Sequence, residues 1–171
     1  QRLIPPIWET YPPLKEFGDR ALRDLEEASK CLELNYCLIA KELVALGINV
    51  NCAPVLDLFV ELGNGVIGDR ALSNNPQIIS ILGKSVCKGL VANGVIPVIK
   101  HIPGHGRAKL DSHVELPRVG TDLNTLKNTD FVPFRALRSS PAAMTAHILY
   151  AAVDPKNPAS VSEKVILKTI R

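Results

Sequence analysis

Residues 95–99, V-I-P-V-I, constrain the fold more than any other part of this chain. The run is apolar and β-branched, too short for a buried helix, and bounded by Gly94 and by the Pro103-Gly104 pair. It therefore predicts a strand inside a sheet with both faces covered. Such a strand requires helices over it, and the flanking sequence supplies them. From residue 19 to 46, Leu22, Leu25, Leu32, Tyr36, Ile39, Leu43 and Leu46 fall on a three-four spacing with Ser29 in the one gap. This predicts a helix, broken at most once, that Gly47 ends. A coiled coil would share the spacing, but the e/g charge alternation is not clean and the pattern runs straight into a strand.

That strand is I-N-V-N-C-A-P-V, residues 48–55, which alternates and stops at Pro54; a loop over residues 57–70 follows. Asn74 or Asn75 with Pro76 predicts the N-cap and first position of a helix whose inner face is Ile78, Ile81, Leu82, Val86, Gly89 and Leu90. After V-I-P-V-I, Pro103 and Gly104 suit the central positions of a type II turn, opening a loop of about fifteen residues to Pro117. Thr121 or Asp122 starts a further helical stretch that Pro133 interrupts near Asp130. Residues 142–148 predict a strand with His147 near its end, and Ser162 caps a last helix. The four prolines of residues 1–13 predict a stiff connection rather than a regular element. Strict alternation of helices and strands argues a parallel sheet in an α/β topology. A closed eight-stranded barrel takes about 250 residues, so the expected fold is part of a (β/α)8 TIM-type barrel, a single incomplete domain over residues 1–171.

Composition narrows the partners. With 46% hydrophobic and 22% charged residues, the chain has room for one sizeable core. Its net charge of +3 is mild and no basic cluster is interleaved with aromatics, so nucleic acid is not an expected partner. No run approaches the roughly 18 apolar residues of a membrane span. Cys31, Cys37, Cys52 and Cys87 show no C-x-x-C spacing and sit in apolar surroundings, which fits reduced thiols and a cytoplasmic setting.

In folds of this class, sites gather beyond the C-terminal ends of the strands. Asp57 with Arg70, the stretch 100–113 and His147 all fall there. Residues 100–113, K-H-I-P-G-H-G-R-A-K-L-D-S-H, hold three of the four histidines together with Lys100, Asp111 and two glycines. A histidine titrates near neutrality and a neighbouring carboxylate fixes its tautomer, which suits proton transfer. Asp111 and His113 are two apart, so an extended segment turns both the same way. Each candidate has a plainer reading. D-S-H is compatible with an exposed loop pair, Lys100 and His101 with ion partners at a strand end, and Arg70 with a surface pair to Asp69. Asp57 suits a partner of Arg70 or of the backbone, His147 a core histidine, and Arg2 a frayed terminus. A metal centre built from His101, His105, Asp111, His113 and His147 is a second class of function, although the spacing matches no H-E-x-x-H or C-x-x-C pattern. A sugar-binding module without catalysis is a third.

K-H-I-P-G-H-G followed by D-S-H resembles the signature of the family 3 glycoside hydrolases, in particular the single-domain bacterial β-N-acetylhexosaminidases. N-C-A-P-V-L-D at 51–57, I-G-D-R-A at 67–71, P-F-R-A-L at 133–137 and M-T-A-H-I-L-Y at 144–150 agree with it, as do the opening Q-R and the P-P pair at Pro12. The resemblance covers nearly the whole chain. It implies a barrel fold, no cofactor or metal, and retaining hydrolysis of terminal β-linked N-acetylglucosamine, with a place in peptidoglycan recycling. His113 with Asp111 matches the family's acid and base, Lys100 and His101 its hydroxyl-binding pair, and Arg2 and Arg70 its sugar-binding arginines; His147 is a further candidate. The family's nucleophilic aspartate belongs to a later strand, and Asp154 stands in a loop setting instead. The 171 residues alone are therefore expected not to turn over substrate.

Overall fold

The computed structural model of the protein describes residues 5–60, 67–108 and 115–170. Among them, helices alternate with parallel strands in the manner of a (β/α)8 barrel. The stretch expected as one helix is two, α1 (Leu14–Ala21) and α2 (Leu25–Ala45). The break has a local cause. Asp24 adopts an extended backbone and its side chain accepts the Glu27 N–H at 2.9 Å, so a capping carboxylate stabilises a fresh helix start. Leu22, at the break, is 69% exposed instead of joining the inner face. The buried ridge of α2 is Ala28, Leu32, Tyr36 and Ala40. These recur every fourth residue, the row that packs into a neighbouring helix, and the neighbour is α3 (Pro76–Val91).

Asn75 caps α3 as predicted, accepting from the N–H groups of Gln77 and Ile78 at 2.9 and 3.3 Å. Its buried face carries Ile79, Leu82, Val86 and Leu90. Ile81, expected inside, is 43% exposed; one helical step of about 100° turns it away from the face that Leu82 sets. These residues join Leu32, Leu56, Val95, Ile99, Phe134 and Leu137 in the main core.

The strands are β1 (Val50–Asn51), β2 (Ile96–Ile102), β3 (Arg118–Val119), β4 (Ala142–Thr145) and β5 (Leu149–Tyr150). β1, β2 and β4 form one parallel sheet with β2 in the centre, and β3 pairs with β5, a ladder the periodicity did not predict. The expected strand 48–55 is shorter than its alternation implied. Only Val50 and Asn51 join the ladder, opposite Ile96 and Pro97; the chain departs and meets β2 again where Val55 faces Lys100. Pro54 has no N–H to donate, yet its carbonyl accepts the Lys100 N–H at 3.1 Å. β2 runs three residues beyond its expected core, from Lys100 through His101 to Ile102, and its start is less covered than predicted, with Ile96 44% exposed. The expected strand 142–148 is split, so that His147 lies exposed in the link between β4 and β5 rather than in the core.

Beyond β3, α4 (Leu123–Asn128) and α5 (Val132–Ala136) are separated around Asp130, as Pro133 demands. Asp122 caps α4. The Ser162 hydroxyl oxygen accepts the Val165 N–H at 3.2 Å and so caps α6 (Glu163–Val165), which continues into one wide turn, Ile166–Ile170. A second core of Leu126, Phe131, Ile148, Tyr150, Ala159 and Val165 ties this half together.

Candidate active site

The end of β2 carries a bulge. Lys100 pairs with Met144 and Ile102 with Thr145, so His101 is one residue more than β4 can match. A bulge turns a backbone N–H out of the ladder and re-aims a side chain. Asp57, fully buried, receives what the ladder releases. Its Oδ1 accepts the His101 N–H at 3.2 Å and the His105 N–H at 2.7 Å, while Oδ2 lies 2.7 Å from His101 Nδ1. A carboxylate facing Nδ1 makes that nitrogen the hydrogen-bearing one and leaves Nε2 as the ring's acceptor. Asp57 sits where it does because Val55 and Leu56 flank Lys100, with the Leu56 N–H donating to the Lys100 carbonyl at 2.7 Å. One residue further along, the side chain meets the end of the central strand.

The turn after β2 comes one residue earlier than predicted. Gly104 N–H donates to the His101 carbonyl at 2.8 Å, so Ile102 and Pro103 occupy the centre, and the Ile102–Pro103 peptide is cis. Gly104, at φ +141°, follows the centre instead of lying in it. The His105 ring then packs edge-on to that of His101, centroids 5.4 Å apart. Gly106 rests on the backbone that follows Asp57: a Cβ there would lie 2.1 Å from the Leu58 carbonyl oxygen. Tyr150, on β5, donates its hydroxyl hydrogen to the Gly104 carbonyl.

Lys100 is half-buried, and burial pulls its ammonium below the usual lysine pKa; the nearby Arg70 acts in the same direction, against Cys52 and Asp57. Lys100, Arg70, Asp69, Cys52, Tyr36 and Tyr11 help line a cleft of about 300 Å³. Arg70 stands in a short 3-10 turn, Gly68–Arg70, with its Nε–H donating to the Ile67 carbonyl at 3.3 Å. A larger cleft of about 560 Å³, between α5 and the wide turn, is lined by none of the predicted site residues.

Of the residues singled out in the sequence, Lys100, His101 and Arg70 are thus close to the strand edge and its cleft. Arg2, Asp111 and His113 lie outside the described residues. His147 is exposed and its Nδ1 is 2.6 Å from the Ser160 hydroxyl. Among the described residues no three His, Cys, Asp or Glu side chains gather as a metal site, so His101, His105 and His147 do not converge on one ion. Two participants were underread. The sequence offers Asp57 as a backbone partner, which its bonds to the His101 and His105 N–H groups bear out, but not as the anchor of the His101 ring, and it offers His105 only as a metal candidate. The available signal was an aspartate directly after an alternating strand.

Fold and site together define a (β/α)8-barrel domain with a polar, histidine-bearing edge at the C-terminal end of its central strand. The chain belongs to glycosyl hydrolase family 3: the profile of that family's N terminal domain matches residues 19–171. It is 38% identical over 157 residues to a beta-hexosaminidase of Xylella fastidiosa, covering 91% of this chain and 46% of that protein. A beta-hexosaminidase of Alkalilimnicola ehrlichii is 42% identical over 139 residues, with coverages of 78% and 38%. The crystal structure of NagZ from Neisseria gonorrhoeae in complex with N-trifluoroacetyl-D-glucosamine superposes with a TM-score of 0.90 at 35% identity, covering 99% of this chain and 50% of that one. The chain spans half or less of the length of these relatives.

Proposed function

We propose that this protein hydrolyses terminal, non-reducing β-linked N-acetylglucosamine with retention of configuration. The observation that carries the reading is the Asp57-anchored His101 beside Lys100 at the β2 edge, in a fold shared with a protein crystallised with an N-acylated glucosamine. Lys100 supplies hydrogen-bond donors to sugar hydroxyl oxygens. His101, with its tautomer set by Asp57, accepts a hydroxyl hydrogen at Nε2, and Arg70 and Arg2 hold the sugar's remaining polar groups. His113, oriented by Asp111, gives a proton to the leaving oxygen as a carboxylate displaces it, then takes one from the water that releases the sugar. The substrate is a muropeptide or another N-acetylglucosamine glycan, used in cytoplasmic peptidoglycan recycling. The free state of Cys31, Cys37, Cys52 and Cys87 supports a reducing compartment.

The test is turnover of an aryl N-acetylglucosaminide by the protein as expressed from its gene, with the first-formed anomer followed by NMR. We expect the β-anomer first; the α-anomer first, or no turnover, would overturn the proposal. His113→Ala should slow an unactivated glycoside on the order of 100-fold or more while sparing an aryl glycoside with a good leaving group. Equal losses on both would remove His113 from the acid role.

A further inference from the structure

We propose that His147 is a further sugar-binding residue, held in place by Ser160 and reaching a ring hydroxyl of N-acetylglucosamine through Nε2; this inference rests on the glycosidase reading above. β4 is bonded to β2 up to the residue that follows His101. Ile102 pairs with Thr145, and the Ala146 N–H donates to the Ile102 carbonyl at 2.8 Å. His147 comes next in the chain. It therefore stands on the strand beside the one that carries Lys100 and His101, beyond the same C-terminal edge, where barrels gather their ligands. Its direction follows from its neighbours. Ala146 and Ile148 are buried in the second core while His147 between them is exposed, so the ring turns away from that core, as side chains alternate along an extended backbone.

The ring is held as well as exposed. Its Nδ1 lies 2.6 Å from the Ser160 hydroxyl, and the residues on either side of Ser160 are themselves tied down. The Ala159 N–H donates to the Ile148 carbonyl at 2.8 Å, with Ala159 buried in the second core, and the Val161 N–H donates to the Pro158 carbonyl at 3.0 Å. The loop over residues 158–161 thus returns to the strand end and brings one hydroxyl onto one imidazole. Water would satisfy an exposed Nδ1 nearly as well, so the contact adds little stability. Its effect is to fix the plane of the ring. A serine hydroxyl either donates to Nδ1 or accepts from it, and Nε2 takes the complementary role toward a sugar hydroxyl, which is donor and acceptor alike.

The test measures kcat and KM on an unactivated β-N-acetylglucosaminide and on an aryl one, with the calorimetric Kd for N-acetylglucosamine itself, using the protein as expressed from its gene. His147→Ala should raise both KM values and the Kd about 10-fold and leave kcat within about three-fold, the loss of one hydrogen bond made equally in ground and transition states. His147→Gln keeps a polar atom where Nε2 stood and should recover most of this. His147→Asn keeps one only at the Nδ1 position, against Ser160, and should resemble His147→Ala. Ser160→Ala should raise KM about three-fold. Neither position is buried, so the variants are expected to fold. A histidine with a merely structural task would reverse the order of His147→Gln and His147→Asn. That reversal, or an unchanged KM and Kd in His147→Ala, would overturn the inference while leaving the glycosidase reading intact. A rise confined to the unactivated substrate would set His147 against the leaving group and overturn it likewise. No turnover of either substrate by the wild-type protein would overturn that reading and this inference with it.

Discussion

Asp57 and Asp154 are both buried aspartates whose oxygens are taken up by hydrogen-bond donors, but the donors come from different distances. Asp154 accepts the backbone N–H groups of Lys156 and Asn157 at 3.0 and 3.3 Å, the Asn157 side-chain amide at 3.2 Å and the Ser162 hydroxyl at 2.7 Å. All of these lie within eight residues of it. Asp57 reaches 44 residues to His101 and 48 to His105. One carboxylate staples a loop to a helix start. The other joins two strand ends and, through a histidine, acts on the candidate site. What separates them is the cost of loss: a local staple can be given up one turn at a time, whereas Asp57 serves three groups that have no alternative once the sheet has formed.

The largest effect is expected at Asp57. Asp57→Ala leaves two backbone N–H groups and the His101 ring nitrogen without their acceptor, and should cost about 3–5 kcal/mol in urea unfolding, each orphaned group contributing about 1–3 kcal/mol. A loss below about 1 kcal/mol would erase the distinction from Asp154. Next comes Gly106→Ala, whose new Cβ would collide with the Leu58 carbonyl oxygen. Strain of this kind costs about 1–3 kcal/mol, and an unchanged midpoint would show that the loop does not rest on Leu58.

Asp154→Asn should be milder, and pH reveals it. The Ser162 hydroxyl first, then the Lys156 N–H, holds the Asp154 carboxyl well below the usual carboxylate range. With the folded pKa depressed, its contribution is fully present above the unfolded value of about 3.9 and is lost as pH falls toward the folded one. Melting temperatures of the wild type should therefore drop more steeply below about pH 4 than those of Asp154→Asn; parallel curves would mean that the staple contributes nothing. The smallest change in stability is expected for Lys100→Met. Removing a half-buried ammonium should leave stability within about 1 kcal/mol, while calorimetric binding of N-acetylglucosamine is lost. A large destabilisation would make Lys100 structural and move it from the site to the scaffold.

The same contrast of range runs through the reading of the sequence. Asn75 with Pro76, Asp122, Ser162 and the interruption at Pro133 were legible because each depends on neighbours within one helical turn. The helix break at Asp24 was equally local, and the signal, an aspartate two residues ahead of a glutamate pair, was outweighed by an unbroken apolar spacing. The inward residue of α3 was misassigned because Ile78, Ile79 and Ile81 are equally apolar, and only the neighbouring helix and sheet choose among them. The strand-end address of Lys100 and His101 and the place of Arg70 beside the Lys100 cleft follow from the sequence; the hold of Asp57 on the His101 ring does not.

By itself the sequence determined the alternation of helices and strands, the caps, the strand-end address of the polar residues and the family signature, since these follow from periodicity and short-range chemistry. Only the tertiary structure decided the bulge at His101 and the hold of Asp57 on it. Each depends on the register in which distant strands and helices come to rest, and a register is a property of the assembled sheet and core that no window of neighbouring residues contains.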